Sequence, residues 1–358
     1  MIKFNSAVLF EQGGPLEVVS LGLDNPLTEG QVLVRMVAST ICGSQLLEIE
    51  GLKGNARFMP HALGHEGFGE VLEIGSGVRT VNVGDFVVAH WKKGAGLETA
   101  PIDFYLDGSR RVGAGPITTF SELSVIAENR LTTVSKNTVP SVGALMGCAL
   151  STGFSAVTKE LGLLSGESVL VFGAGGVGIS VAIAARNVGA GSIVVVDRGK
   201  SKREFALANG ATGYVDIDSA FWDEACLSNN KGYPFHRVVE ATGAPVVRSQ
   251  IARFLSDGGT ALMLGQSNPA EMVSLGSQSE LFGQSHGKTF KFSQGGSFSP
   301  QNDLASYLEI AKGAIPPLSD SMISRTGRLS EINELVATMT AGLAGRPLID
   351  FTPEKVIS

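Results

Sequence analysis

Ser168-Val169-Leu170-Val171-Phe172-Gly173-Ala174-Gly175-Gly176-Val177-Gly178 decides the fold of this 358-residue chain. The apolar run reads as a buried strand, and glycines spaced G-x-G-x-x-G carry it into a helix with Val177, Val181, Ala184 and Val188 on its apolar face. Each glycine has a task. Gly173 makes the tight turn, Gly175 lets the backbone approach a pyrophosphate, and Gly178 lets the helix pack on the strand. The free N–H groups of the first helical residues, Gly176 and Val177, are placed to hold the anion. A second G-x-G, Gly113-Ala114-Gly115, runs into Pro116 instead of a helix and is read as a decoy.

Asp197 ends the next apolar run, Ile193-Val194-Val195-Val196. A carboxylate there accepts from both hydroxyls of an adenosine ribose and repels a 2′-phosphate, so NAD is favoured over NADP. Arg198 beside it has the charge to pair with a 2′-phosphate, but with Asp197 in place it is read as stacking on the adenine. Further apolar runs at Val238-Val239 and Ala261-Leu262-Met263-Leu264 alternate with helical stretches of about 10 to 15 residues, the pattern of βαβ units in a parallel sheet.

Upstream, from residue 1 to about 150, short apolar runs such as Val32-Leu33-Val34-Arg35-Met36-Val37 and Phe86-Val87-Val88-Ala89 are punctuated by glycine, as in a mainly β domain. The length exceeds what one core usually supports, which also predicts two domains. One long irregular segment, 92–119, is rich in glycine and charge and is read as a surface lobe or a loop over a cleft. The end of the chain holds an amphipathic helix around Asp303-Leu304-Ala305-Ser306-Tyr307-Leu308 and a strand, Pro347-Leu348-Ile349-Asp350-Phe351, expected to return to the first domain.

The charge of −6 and pI near 5.5 exclude a nucleic-acid footprint, and no basic run forms a patch. No signal-like or membrane-length apolar segment is present, which predicts a cytoplasmic protein. Three cysteines are too few for a disulfide framework. Cys226 has no recognisable partner and is read as a buried or spare thiol.

Cys42, His65 and Cys148 are of the ligand types that zinc prefers, and three protein ligands leave a fourth position for substrate. Their separation in the chain carries no signal. Their contexts do: Thr40-Ile41-Cys42-Gly43-Ser44-Gln45, Leu63-Gly64-His65-Glu66-Gly67 and Gly147-Cys148-Ala149-Leu150-Ser151-Thr152-Gly153. With these motifs and the nucleotide fingerprint, the chain resembles the zinc-dependent medium-chain dehydrogenase/reductase superfamily, the alcohol dehydrogenase family, over nearly its whole length.

The resemblance implies an α/β fold: a GroES-like β domain, residues 1–150 with 292–358 returning to it, and a Rossmann doubly wound parallel-sheet domain, residues 151–291. It implies that Cys42, His65 and Cys148 hold a catalytic Zn2+, with Glu66 able to enter its coordination. Ser44 then accepts the substrate proton, Thr152 contacts the nicotinamide, Lys202 the adenosine ribose and Arg346 the pyrophosphate. Trp91 matches an aromatic wall of the substrate pocket, which segments 92–119 and 270–300 also border. The implied activity is hydride transfer between an alcohol, polyol or sugar hydroxyl and NAD. The implied assembly is a homodimer or homotetramer, with sheets joined near residues 288–298.

Three departures from the family pattern stand out. Segment 92–119 has no cysteine where many members hold a second, structural zinc, so one zinc per subunit is expected. Gln45 stands where an aspartate usually bonds the ligand histidine, and a neutral amide makes His65 a less basic donor. Leu47 occupies the place of a histidine that ends the proton relay in some members. Two competing readings are a zinc-free quinone or enone reductase, against which the ligand set and Asp197 count, and a non-catalytic NAD-binding protein.

Overall fold

The structure is a computed structural model in which residues 2–23, 26–54, 58–100, 102–267, 272–283, 286–314 and 317–353 are described. Residues 101, 270–271 and 284–285, within the two segments expected near the pocket, lie outside these.

The glycine-punctuated apolar runs of the first half form antiparallel strands. Gln31–Thr40 is central, pairing with Glu66–Ile74, Leu123–Ala127 and Arg346–Asp350. Phe86–His90 and Leu131–Val134 extend this sheet on one side and Ile323–Gly327 on the other. The C-terminal strand thus sits in the sheet of the first half.

A closed barrel joins Ile2–Leu9, Leu16–Leu23, Asp103–Leu106, Arg110–Gly113 and His61–Ala62. Two of these strands come from segment 92–119, which corrects its reading as a loop or lobe. Asp107 (φ 52°), Gly108 (φ 70°) and Ser109 make a three-residue hairpin turn, and Phe104 and Val112 face the barrel core. The signal was the dipeptide Asp-Gly, which tolerates positive φ at both central positions, between alternating apolar residues.

The second half is a six-stranded parallel sheet in the order Gly213–Asp216, Ser192–Asp197, Ser168–Phe172, Phe235–Glu240, Leu255–Met263, Thr289–Phe292. The strand order reverses at Ser168–Phe172, so a crevice opens beyond its carboxyl end, where open α/β sheets bind ligands. Most of the connecting helices are shorter than their periodicity predicts, as at Ser201–Ala208 and Trp222–Ser228. Helix Gly176–Val188 is buried on more than the one expected face. Ile179, Ala182 and Ile183 are enclosed as well, since the helix lies between the sheet and helix Ala149–Ser155. Cys226 is fully buried in the apolar cluster against this sheet, and burial pushes its thiol up to about 12.

One apolar core runs from Phe68 and Val88 of the first sheet, through Leu145, Met146, Leu150 and Phe154, to Val169 and Val171 of the second. This shared core fixes the two sheets across the crevice. Among the described residues no single helix is long and apolar enough to cross a membrane. The bent pair Pro140–Met146 and Ala149–Leu161 matches by length and composition, but its apolar side chains form the core just described.

Candidate active site

Three chain turns bring the expected ligands together. Cys42 precedes helix Gly43–Ile49 at the end of the central strand, His65 precedes strand Glu66–Ile74, and Cys148 precedes helix Ala149–Ser155. Their ligand atoms lie within 4.8 Å of one another. Both cysteines are buried, and His65 is half-buried.

The electrostatics of the group follow from this proximity. The Cys42 thiol lies well below its usual range because Cys148 donates to it, with Arg346 and His65 adding to the effect against burial. Cys148 is raised because it keeps that proton, and burial raises it further. Burial alone would lower His65, but the Cys42 sulfur outweighs it and the imidazole is raised. Two sulfurs and one imidazole in a dry recess are a donor set that fits zinc, which binds the deprotonated forms.

Gln45, 1% exposed, accepts the Cys42 backbone N–H on Oε1 at 2.9 Å, and its Nε2 lies against His65 Nδ1. It therefore orients His65 as the sequence suggested, without a negative charge. Glu66 is fully buried behind the group. It accepts from the Ala149 backbone N–H and from Arg346 Nη1, each at 3.3 Å, and burial lifts its carboxyl to about 7 although Arg346 opposes the shift.

Arg346 has one hand on each half of the molecule. Its Nη1 donates to Glu66 and to the Ile41 carbonyl, while its Nε has no partner among the described residues and faces Gly176. A methyl group on Gly176 would stand 2.2 Å from that Nε. The unpaired donor beside the start of a helix fits an anion such as the expected pyrophosphate.

Ser44 Oγ is buried and unpartnered among the described residues. A buried hydroxyl of that kind costs about 1–3 kcal/mol unless a ligand pairs with it, and it lies two residues from Cys42. Leu47 follows three residues later on the same helix, within reach of the same face. Trp91 is set by strand register: Glu66 pairs with His90, so His65 and Trp91 leave the sheet side by side.

At the fingerprint, Gly173 has φ 105°, and a methyl group on Gly178 would lie 1.8 Å from the Gly173 carbonyl oxygen, so helix and strand meet as closely as expected. Nothing lies within 4 Å of a methyl group on Gly175, which leaves room for a ligand. Asp197 ends the neighbouring strand. It accepts from the Ala174 and Arg198 backbone N–H groups at 2.5 and 2.6 Å. Lys202 pairs with Asp197 at 3.0 Å, and the Arg198 side chain is 79% exposed. These residues cluster away from the metal group. Thr152 is buried between the two regions, its N–H on the Cys148 carbonyl.

Sequence reading missed a buried ion pair at the crevice. Glu240 Oε1 accepts from Thr242 N, Thr242 Oγ1 and Gly243 N, each at 2.6 Å, while Oε2 takes Arg248 Nε at 2.9 Å. Arg248 also donates to the Gly265 carbonyl, so two strand ends are pinned together. A cavity of about 380 Å³ lies there, lined by Leu264, Gln266, Phe292, Ser293 and Gln294 among others. No motif in the sequence announces this pair.

Two family models match the chain: the alcohol dehydrogenase GroES-like domain over residues 28–136 and the zinc-binding dehydrogenase over 176–312. The chain is 30% identical to an NDMA-dependent alcohol dehydrogenase of Amycolatopsis methanolica, covering 93% of this chain and 95% of that one. It is 28% identical to an S-(hydroxymethyl)glutathione dehydrogenase of Escherichia coli, over 98% and 100% of the two chains. The crystal structure of an alcohol dehydrogenase zinc-binding domain protein from Burkholderia ambifaria superposes with a TM-score of 0.88 at 25% identity, covering 98% of this chain and 100% of that one.

Proposed function

The chain belongs to the zinc-dependent medium-chain dehydrogenase/reductase superfamily and is an oxidoreductase acting on the CH–OH group of donors; from that premise we propose that it works with one Zn2+ per subunit and with NAD. The observation that carries this reading is the meeting of Cys42, His65 and Cys148 at one wall of the crevice, joined through Arg346 to the nucleotide turn at Gly176.

Cys42, His65 and Cys148 hold the zinc, which supplies Lewis acidity toward a substrate oxygen, and the nicotinamide supplies the hydride acceptor. The protein's own residues do the rest. Ser44 Oγ would take the substrate proton, and Leu47 beside it offers no base to receive it in turn. Trp91 walls the pocket. The N–H groups at Gly176 and Val177, with Arg346 Nε, hold the pyrophosphate. Asp197 accepts from the ribose hydroxyls, Lys202 shifts from its ion pair to share them, and Arg198 lies over the adenine. Thr152 borders the nicotinamide. Glu66 keeps Arg346 in place and stays within reach of the metal.

The same reading assigns residues 1–150 and 292–358 to the catalytic domain and 151–291 to the NAD-binding domain. It assigns the assembly to a homodimer or homotetramer joined at the edge strand Thr289–Phe292, whose Phe292 is 60% exposed. Metal analysis of the purified protein tests the metal assignment. One zinc per chain, lost in Cys42→Ala and in Cys148→Ala, is the expected result. Zinc retained in both variants contradicts it.

A further inference from the structure

Outside the metal group, one loop touches two residues that the proposed function places around the substrate and nicotinamide, Trp91 and Thr152. Residues 293–297 leave the edge strand Thr289–Phe292 and cross the crevice. Gly295 and Gly296 have φ of 76° and 67°, conformations that glycine adopts without strain. A methyl group on Gly295 would lie 2.0 Å from the Trp91 ring, and one on Gly296 would lie 3.0 Å from the Thr152 carbonyl oxygen. The loop backbone is therefore pressed onto Trp91 on one side and Thr152 on the other.

Glu160 holds the loop in that position. It lies in the helical segment Ala156–Leu161 that continues from Ala149–Ser155. Its Oε1 accepts from Ser293 Oγ at 2.7 Å and from Ser297 Oγ at 2.8 Å, the two residues that bracket the turn. Its main-chain carbonyl accepts from Lys291 Nζ at 2.7 Å. Lys92, the residue after Trp91, donates to the Gly296 carbonyl from the other side. A carboxylate acceptor makes each hydroxyl bond stronger than a neutral one.

We propose that Glu160 is a positioning residue: by clamping Ser293 and Ser297 it seats Gly295 against Trp91 and so sets the size of alcohol that the pocket accepts. This deepens the alcohol-oxidation reading and rests on it for the substrate class. One carboxylate oxygen takes both hydroxyls, so an amide oxygen in its place keeps both bonds, each weaker.

The chain has two tryptophans, so in a Trp222→Phe background fluorescence reports Trp91 alone. Glu160→Ala is expected to red-shift Trp91 emission and raise its quenching by acrylamide. It should also flatten the preference between a small and a bulky alcohol by roughly tenfold in kcat/KM, about the effect of one methylene group in an apolar pocket, through KM more than kcat. Glu160→Gln keeps the accepting oxygen and should retain the parental emission and preference. The double variant Ser293→Ala/Ser297→Ala should reproduce Glu160→Ala. Unchanged Trp91 emission in both Glu160→Ala and the double serine variant overturns the proposal, and so does a Gln variant that behaves like Ala. If Trp222→Phe does not fold, the difference between spectra with and without Trp91→Phe gives the same reading. The fluorescence arm needs no turnover, so a protein that oxidised no alcohol would sink the functional reading while the clamp was still tested.

Discussion

The side-chain amide of Gln45 lies on Nδ1 of His65, and its oxygen is held by the backbone N–H of Cys42. One neutral group thus ties two expected zinc ligands together. An amide can orient the ring but adds no negative charge to the metal's surroundings, so the donor strength of His65 is lower than with a carboxylate behind it.

Gln45→Asp is therefore expected to tighten zinc binding and Gln45→Ala to weaken it, each by about 10- to 100-fold, the usual weight of such a partner. Competition against a chelating dye measures both. Equal affinity in all three proteins would remove Gln45 from the metal's support.

Arg248 neutralises Glu240, which is fully buried at the crevice. Arg248→Ala leaves that carboxylate without its cation, and the expected loss is about 3–5 kcal/mol of stability. Urea unfolding reads it directly. A loss within error would mean that the three hydrogen bonds to Glu240 suffice alone.

His90 is buried with Nδ1 donating to the Lys92 carbonyl and Nε2 on Thr132 Oγ1, and burial lowers its pKa to about 4. The unfolded chain binds this proton more readily than the folded one, so the stability of the folded state rises with pH across the window. Above about 6.5, the ordinary histidine value, nothing is lost; as pH falls toward 4 the folded state loses up to about 3 kcal/mol, from the size of the shift. His90→Asn should flatten this part of the stability profile between pH 7 and 4.5. An unchanged slope would show that other groups control it.

On the proposed reading, Asp197 carries the choice of dinucleotide. Asp197→Ser should shift the ratio of kcat/KM from NAD toward NADP by about 10- to 100-fold, the weight of one or two charged hydrogen bonds, because Arg198 is 79% exposed and held only by a long surface ion pair to Asp218 at 4.0 Å, which a 2′-phosphate can replace. Steady-state kinetics with the two cofactors decides it. A parental protein already preferring NADP would overturn the assignment.

The parts legible in the sequence are those where chemistry leaves few residue choices. Gly178 admits no side chain against the Gly173 carbonyl, and a strand buried on both faces reads as the unbroken apolar run Val169-Leu170-Val171-Phe172. The ligand set was legible only through local context, since strand pairing, not spacing, brings His65 to Cys42. The barrel hairpin at Asp107-Gly108 escaped because surrounding charge masked a short alternation. Strand Gly213–Asp216 escaped for lack of length. Arg248 with Glu240, and Glu160 with Ser293 and Ser297, could not be read at all: each pair is made by the folded chain from residues common on any surface.

The central claim is that metal and nucleotide work together on an alcohol. NAD reduction across primary alcohols, secondary alcohols, polyols and sugars, before metal removal, after it, and after zinc is restored, tests that claim most directly. Turnover that disappears with the metal and returns with zinc is the predicted result. Turnover that persists without metal, or tight NAD binding with no oxidation of any alcohol in the panel, would contradict it.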